Sequence, residues 1–193
     1  MKQLILLVGP TCSGKSTLEK ELNARGIPSV ISYTTRAPRH GEVNGQDYHF
    51  VTPYEIDPER IIQSVTFAGH NYGSTIDSLE NAFKDSDTAV IVVEPTGIPQ
   101  FRAVAARLGT FEVDAVFIRG RLDVLVTRLV ERFRKDPNAK PEYYWSRLEQ
   151  QLQSYREWPY YDFYTLYIDE IDDTYPLYST KETADLILDT LCR

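Results

Sequence analysis

"LILLVGPTCSGKSTLEKEL", Leu4–Leu22, changes character twice within a few turns of chain. Leu4–Val8 is an unbroken apolar run, the pattern of a strand covered on both faces in a parallel sheet. Gly9 ends the run, and a loop of small residues leads to Gly14-Lys15-Ser16. From Ser16 to Ala24 the leucines recur at helical spacing, and Gly26 supplies a stop. Strand, tight loop and helix in that order form a βα unit, so the stretch commits the chain to an α/β fold.

Gly9 to Ser16 also fits the pattern G-x-x-x-x-G-K-[ST] of a P-loop. Small residues let successive backbone N–H groups converge on an anion, and the helix that follows aims its positive dipole end at the same point. The lysine adds a full charge that reaches outer phosphates, and the serine hydroxyl suits Mg²⁺. The loop therefore predicts a nucleoside triphosphate site made of Gly9, Pro10, Thr11, Cys12, Ser13, Gly14, Lys15, Ser16 and Thr17, with Ser16 toward the metal. A plain strand-to-helix turn is the structural alternative.

Outward from this stretch, further strands are expected at Val30–Ile31, Tyr48–Val51, Thr88–Glu94, Ala115–Gly120 and in "TLYID" (165–169). Helices are expected at Ile76–Ala82, Asp123–Arg134, Tyr144–Trp158 and Lys181–Leu191, with a short capped helix in "TPYEIDPERII" (52–62) and strand and turn in "TFAGHNYGST" (66–75). This alternation predicts a P-loop parallel sheet with helices on both faces. Residues 36–75 interrupt the rhythm with Tyr, Gly and Asn, as an inserted β-rich lobe would. The expected organisation is a single domain, 1–193: a core of 1–31, 76–125 and 159–193, a lobe of 32–75 and a helical lid of 126–158.

A formal net charge of −7 argues against general nucleic-acid binding, which needs a basic surface. Two cysteines, Cys12 and Cys192, give neither a disulfide framework nor metal-ligand spacing with the three histidines. Leu4–Val8 is too short for a signal or membrane segment, so a cytoplasmic protein without membrane attachment is expected. Monomer and homodimer are both compatible with the sequence.

Arginines bunch in two places. Arg36 and Arg39 lie in a turn-rich stretch ahead of Tyr48, with Tyr72 and Ser74 in "NYGST" (71–75). A guanidinium fork matches a phosphate dianion and a tyrosine hydroxyl adds a neutral donor. On composition alone, solvated arginines and core tyrosines are the favoured reading of the same residues. Arg128, Arg132 and Arg134 on the helix from Asp123 read either as a phosphate-facing lid or as a solvated helix face.

The motifs S-x-T-T-R-x-P-R from Ser32, G-E-x-N-G-x-D-Y-x-F from Gly41 and Y-G-S/T from Tyr72 follow a P-loop of the form G-P-[ST]-x-[ST]-G-K-S-T. Together they resemble the guanylate kinase family, well from Leu4 to about Gly97 and loosely through "TRLVERFRK…SRLEQ". The resemblance implies transfer of the γ-phosphoryl group of ATP, with Mg²⁺, to a nucleoside monophosphate, GMP or dGMP. It implies that Arg36, Arg39, Tyr48 and Tyr72 hold the monophosphate and that Ser32, Ser74 and Glu94 lie on the base side. Arg128, Arg132 and Arg147 would reach the triphosphate when the lid closes. Lys15, Arg36, Arg132 and Arg147 are then the catalytic candidates, since the chemistry is positioning and charge neutralisation.

Two departures stand out. Where the family has a glutamate that accepts from guanine N1–H and the 2-amino group, this chain places Gln63, although the loop before it is shorter than in the family. A carboxylate only accepts, whereas a carboxamide offers one acceptor and a donor face. Gln63 therefore either occupies the base position, opening it to a different or modified base, or lies on a helix surface. At the end of the Thr88 strand the family has D-x-D; here Val92 takes the first place and only Glu94 remains, so Mg²⁺ would rely on Ser16, phosphates and waters. A third possibility follows from scaffold proteins, whose related domains bind peptides without catalysis; their P-loops are damaged, while Lys15 and Ser16 here are intact.

Overall fold

A computed structural model describes residues 1–38, 41–67, 69–135, 141–160, 162–168 and 179–192, with every side chain among them except those at 53, 67, 141–144, 147 and 160. In chain order the elements are β1 (Lys2–Val8), α1 (Lys15–Ala24), β2 (Tyr33–Thr34), β3 (His49–Phe50), β4 (Ile61–Phe67), β5 (His70–Thr75), α2 (Ile76–Ala82), β6 (Thr88–Val92), α3 (Gly97–Leu108), β7 (Phe111–Ile118), α4 (Leu122–Arg134), α5 (Pro141–Glu157), β8 (Leu166–Ile168) and α6 (Thr180–Leu191). The strands form two sheets, β6-β1-β7-β8 and β3-β2-β5-β4. The mixed α/β architecture with a parallel sheet matches the expectation from Leu4–Leu22. The five residues Leu4 to Val8 are each 0% exposed, which is why the run carries no polar alternation.

The chain divides into two compact units. One comprises Met1–Ile5 and Leu22–Val113, the other Leu6–Glu21 and Asp114–Arg193. In the first, β2 pairs in parallel with β3 (Tyr33 with His49, Thr34 with Phe50) and antiparallel with β5 (Tyr33 with Gly73, Thr34 with Tyr72). β4 and β5 form a hairpin in which Gln63 faces Ser74 and Val65 faces Tyr72, with an irregularity between Ile61 and Gln63. Gly73 is required where it stands: a Cβ there would lie 2.3 Å from the Gln63 carbonyl oxygen and 2.6 Å from the Tyr33 ring. The buried Tyr33 ring takes that space and seals the sheet.

In the second unit β7 and β8 pair in parallel, Val116 with Leu166 and Ile118 with Ile168. The Tyr164 and Tyr167 rings sit 4.7 and 5.1 Å from the ring of Phe117, so both tyrosines serve packing. Tyr155 on α5 lies 5.2 Å under the Arg119 guanidinium. Helix α6 begins with a capping box in which Ser179 Oγ accepts from Glu182 N–H and the Glu182 carboxylate accepts from Ser179 N–H.

Three expectations need correction. The helix expected over 52–62 is two separate 3₁₀ turns, Pro53–Glu55 and Pro58–Arg60, after which β4 begins at Ile61. Pro58 forbids continuation, because its ring pushes Asp57 out of the helical region, to φ −71° and ψ 114°. The strand expected at Val30–Ile31 is a single bridge, Ser29 to Val90, and ladder pairing starts only at Tyr33. Helix α3 has no counterpart in the sequence reading, because Gly97 and Pro99 look like loop punctuation. Pro99 stands in its first turn, where a missing N–H costs nothing. Ile98, Phe101 and Val104 are its buried stripe, and Gly109 closes it in the left-handed conformation at φ 65°.

Candidate active site

The P-loop of the second unit is built as its sequence requires. Gly9 passes so close to β7 that a Cβ would lie 2.2 Å from the Ile118 carbonyl oxygen. Ser13 is fully buried, and Cys12 takes a left-handed conformation at φ 65° despite its side chain. Strain of that kind gathers where backbone groups are aimed at a ligand. The Lys15 ammonium donates to the carbonyl oxygens of Gly9 and Pro10 at 2.7 and 2.6 Å, so the cation is held over the loop mouth. Helix α1 starts at this lysine, with Thr17 and Leu18 N–H both donating to the Gly14 carbonyl.

Helix α4 delivers Arg128 to the same loop, where its guanidinium donates to the Cys12 carbonyl at 3.3 Å. Arg132, one turn further on, is exposed. Arg147 falls within α5, and its side chain lies outside the described residues. The Ser16 hydroxyl is exposed at the loop mouth, and among the described residues no group of His, Cys, Asp and Glu could hold a metal alone. This donor set fits Mg²⁺ that arrives with phosphates and keeps several waters, rather than an all-protein cage.

The first unit carries a different cationic cluster. Arg36 is only 9% exposed, yet it is a full cation. Its guanidinium lies 5.2 Å from the Tyr48 ring and 5.6 Å from that of Phe50. The Tyr48 and Tyr72 rings meet edge to face, 6.1 Å apart. Glu42 grips both forks of the arginine, at 2.6 and 2.7 Å. This doubly hydrogen-bonded carboxylate raises the Arg36 pKa above its usual value against the opposing effect of burial. Arg36 Nε is buried without a hydrogen-bond partner among the described residues. A buried orphan donor on a cation is costly unless an anion completes it.

The turn before Tyr48 explains the G-E-x-N-G-x-D-Y spacing. Asp47 accepts from Val43 N–H at 2.8 Å, Asn44 Oδ1 accepts from Phe50 N–H at 3.0 Å, and Gly45 N–H donates to the Tyr48 carbonyl at 2.8 Å. Glu42 and Tyr48 are thereby fixed on either side of Arg36. Arg39 lies outside the described residues.

Beside this cluster, three neutral side chains form a chain of hydrogen bonds. Gln63 Nε2 donates to Ser74 Oγ at 3.5 Å, and Ser74 Oγ lies 3.3 Å from Ser32 Oγ. The Gln63 carbonyl oxygen borders the start of α3, 3.8 Å from the place a Gly97 Cβ would occupy. Gln63 is on a strand, so the helix-surface alternative is overturned. Glu94 is exposed, and its main-chain carbonyl accepts from Gly97 N–H at 2.9 Å.

Of the residues singled out in the sequence, the structure brings together Lys15 and Arg128 at the loop, Arg36 with Tyr48 and Tyr72, and Ser32 with Gln63 and Ser74. The sequence reading missed Glu42 and Phe50, which hold Arg36, and Thr34, whose hydroxyl accepts from Arg36 N–H at 3.3 Å. An acidic residue six places after Arg36, next to Gly41 at the start of the turn, was the available signal for Glu42.

Comparison with known proteins agrees with this geometry. The family model described as guanylate kinase matches residues 1–180. A guanylate kinase of Trichormus variabilis is 36% identical over 52% of this chain and 54% of its own length. One of Deinococcus radiodurans is 33% identical over 69% of this chain and 57% of its own length. The chain therefore spans little more than half the length of these two relatives. A guanylate kinase of Ruegeria sp. is 29% identical over 94% of this chain and 83% of its own. The crystal structure of guanylate kinase from Anaplasma phagocytophilum shares the fold, with TM-score 0.64 and 21% identity over 99% of this chain and 85% of that one.

Proposed function

The chain belongs to the guanylate kinase family, and we propose that it transfers the γ-phosphoryl group of ATP to GMP or dGMP. The observation that carries this reading is Arg36: a buried guanidinium with an unpartnered Nε, flanked by Tyr48 and Tyr72. A P-loop alone would serve any nucleotide hydrolase; a second, separately built anion site calls for a second phosphate-bearing substrate.

In this proposal residues 9–17 and Arg128 hold ATP, and Lys15 leaves its two carbonyl partners to meet the outer phosphates. Arg36, with Arg39, Tyr48 and Tyr72, holds the acceptor phosphate. The Ser32–Gln63–Ser74 group, with Glu94 nearby in sequence to α3, takes the base. Arg132 and Arg147 offset charge on the transferred group after movement of a lid formed by 126–158. Bound Mg²⁺, with Ser16 as its protein donor, would neutralise phosphate charge. The residues themselves supply position and charge, with no covalent step.

No helix among the described residues is long and apolar enough to cross a membrane. The free cysteines Cys12 and Cys192 accord with a cytoplasmic setting, which is part of the same proposal. The test is a coupled assay of the purified protein with ATP, Mg²⁺ and each common ribo- and deoxyribonucleoside monophosphate. GMP or dGMP should give the highest kcat/KM; clear preference for a non-purine acceptor, or no transfer at all, would overturn the proposal.

A further inference from the structure

We propose that Gln63 reads the base through its O6 and N1–H edge, so that the 2-amino group is not required and hypoxanthine monophosphates are accepted nearly as well as GMP. The inference rests on the assignment of residues 32–75 to the monophosphate site and deepens it.

The geometry restricts what Gln63 can offer. A carboxamide has two N–H donors and one carbonyl oxygen. One donor is engaged by Ser74 Oγ, which is itself in contact with Ser32 Oγ. The side-chain oxygen, Oε1, lies 3.8 Å from where a Cβ of residue 97 would stand, and glycine at 97 adds no side chain there. What remains for a base is one N–H beside one carbonyl acceptor.

Two purine edges match such a pair: O6 beside N1–H, where the amide N–H donates to O6 and the amide oxygen accepts from N1–H, and N1 beside the 6-amino group of adenine; the proposed reaction on GMP selects the first. Guanine and hypoxanthine share that edge. They differ at position 2, where guanine carries two further N–H donors. Reading those donors strongly calls for an additional acceptor, ideally charged. The Gln63–Ser74–Ser32 chain contains no charged member, and the Glu94 side chain is exposed. A site built to hydrogen-bond a substrate N–H rejects an analogue without it by about 10⁴–10⁵-fold, because a buried partner is left empty. Within the Gln63–Ser74–Ser32 chain no acceptor is dedicated to the 2-amino group, so its loss strands none of these three side chains. Gln63→Glu would replace the free N–H by a second, charged acceptor and would create that dependence.

The experiment compares GMP, IMP and AMP as acceptors with ATP, and measures their dissociation constants by calorimetry without ATP. For the natural protein, kcat/KM and affinity for IMP are expected within about tenfold of those for GMP. In Gln63→Glu, checked for folding by its thermal melt, the GMP-to-IMP ratio should rise by about tenfold or more. A larger than tenfold preference for GMP in the natural protein overturns the inference, as does best use of AMP or an unchanged ratio in the folded variant. The natural-protein ratio decides the matter even if the variant does not fold. Absence of transfer to any monophosphate, with near-equal calorimetric affinities for GMP and IMP, would overturn the proposed reaction and leave this inference standing.

Discussion

Lys15 and Arg36 are both cations held by oxygen partners in the absence of substrate, but the partners differ in kind. Two main-chain carbonyls of its own loop hold Lys15, and neither carries a net charge. A phosphate anion outcompetes them readily, so the lysine is a mobile charge on a fixed loop. Lys15→Ala should lower kcat/KM for ATP by about 10²–10³-fold or more, the scale of removing one preorganised transition-state donor. Its melting temperature without ligand should stay close to that of the natural protein; near-full activity would contradict the assigned role. Glu42 instead holds Arg36 in a bidentate pair that fixes the plane of the guanidinium. Arg36→Lys keeps the charge and loses the fork. The KM for the monophosphate should rise at least tenfold, within the worth of one to two charged hydrogen bonds, while the KM for ATP stays unchanged. Equal rises in both would place Arg36 outside the acceptor site. Lys15 was legible because its partners lie within six residues and the motif is contiguous. The orphaned Nε of Arg36, and the carboxylate that holds its other nitrogens, depend on how the turn at 41–48 closes, which no local pattern encodes.

At the scale of elements, legibility followed the range of the interactions. β1, α1, α2, α4 and α6 announce themselves through local periodicity and caps, and their observed bounds differ from expectation by a residue or two. β4 does not, because its alternation starts directly after a proline turn and its partner β5 gives the pattern its meaning. Reading the segment before it as a helix is what allows a helix surface as the alternative to the base position for Gln63. Helix α6 provides a test in which the local signal is the whole explanation. Glu182 accepts from Ser179 N–H at 2.7 Å, and this bond, with the Ser179 side-chain bond, holds its carboxyl below the usual range. A carboxyl depressed in the folded state adds stability above its unfolded pKa, near 4.3, and loses that contribution as pH falls through the lower folded value. Glu182→Ala should therefore melt below the natural protein at pH 7. The gap should narrow as acid protonates the carboxyl, followed by circular dichroism across a pH series. A gap that persists undiminished into acid would show that packing rather than the capping charge is responsible. Ser179→Ala, which removes the hydroxyl that accepts from Glu182 N–H, should cost about 1 kcal/mol.

For the molecule as a whole, the residues proposed to hold the two nucleotides fall in separate units. Residues 9–17 and Arg128 belong to the unit of Leu6–Glu21 and Asp114–Arg193, while Ser32, Arg36, Tyr48, Gln63, Tyr72 and Ser74 belong to the other. Each of these proposed groups has contacts inside its own unit: Arg128 to Cys12 in one, Arg36 to Glu42 and Gln63 to Ser74 in the other. A net charge of −7 makes this division useful, since anionic substrates find favourable potential only where cations have been gathered. If each unit recognises its own nucleotide, the two ligands should leave separate traces in amide hydrogen exchange, which reports local opening segment by segment. GMP alone should slow exchange in peptides covering 32–38, 41–51 and 70–75 and leave 9–18 unchanged. ATP with Mg²⁺ should do the reverse, protecting 9–18 through the loop N–H groups that would turn toward phosphate. Lys15→Ala should retain the GMP pattern in full, because none of the groups proposed to hold GMP lies in its unit. Protection by GMP confined to 9–18 would mean that the monophosphate enters the P-loop, and the assignment of Arg36, Tyr48 and Tyr72 to an acceptor site would fall with it.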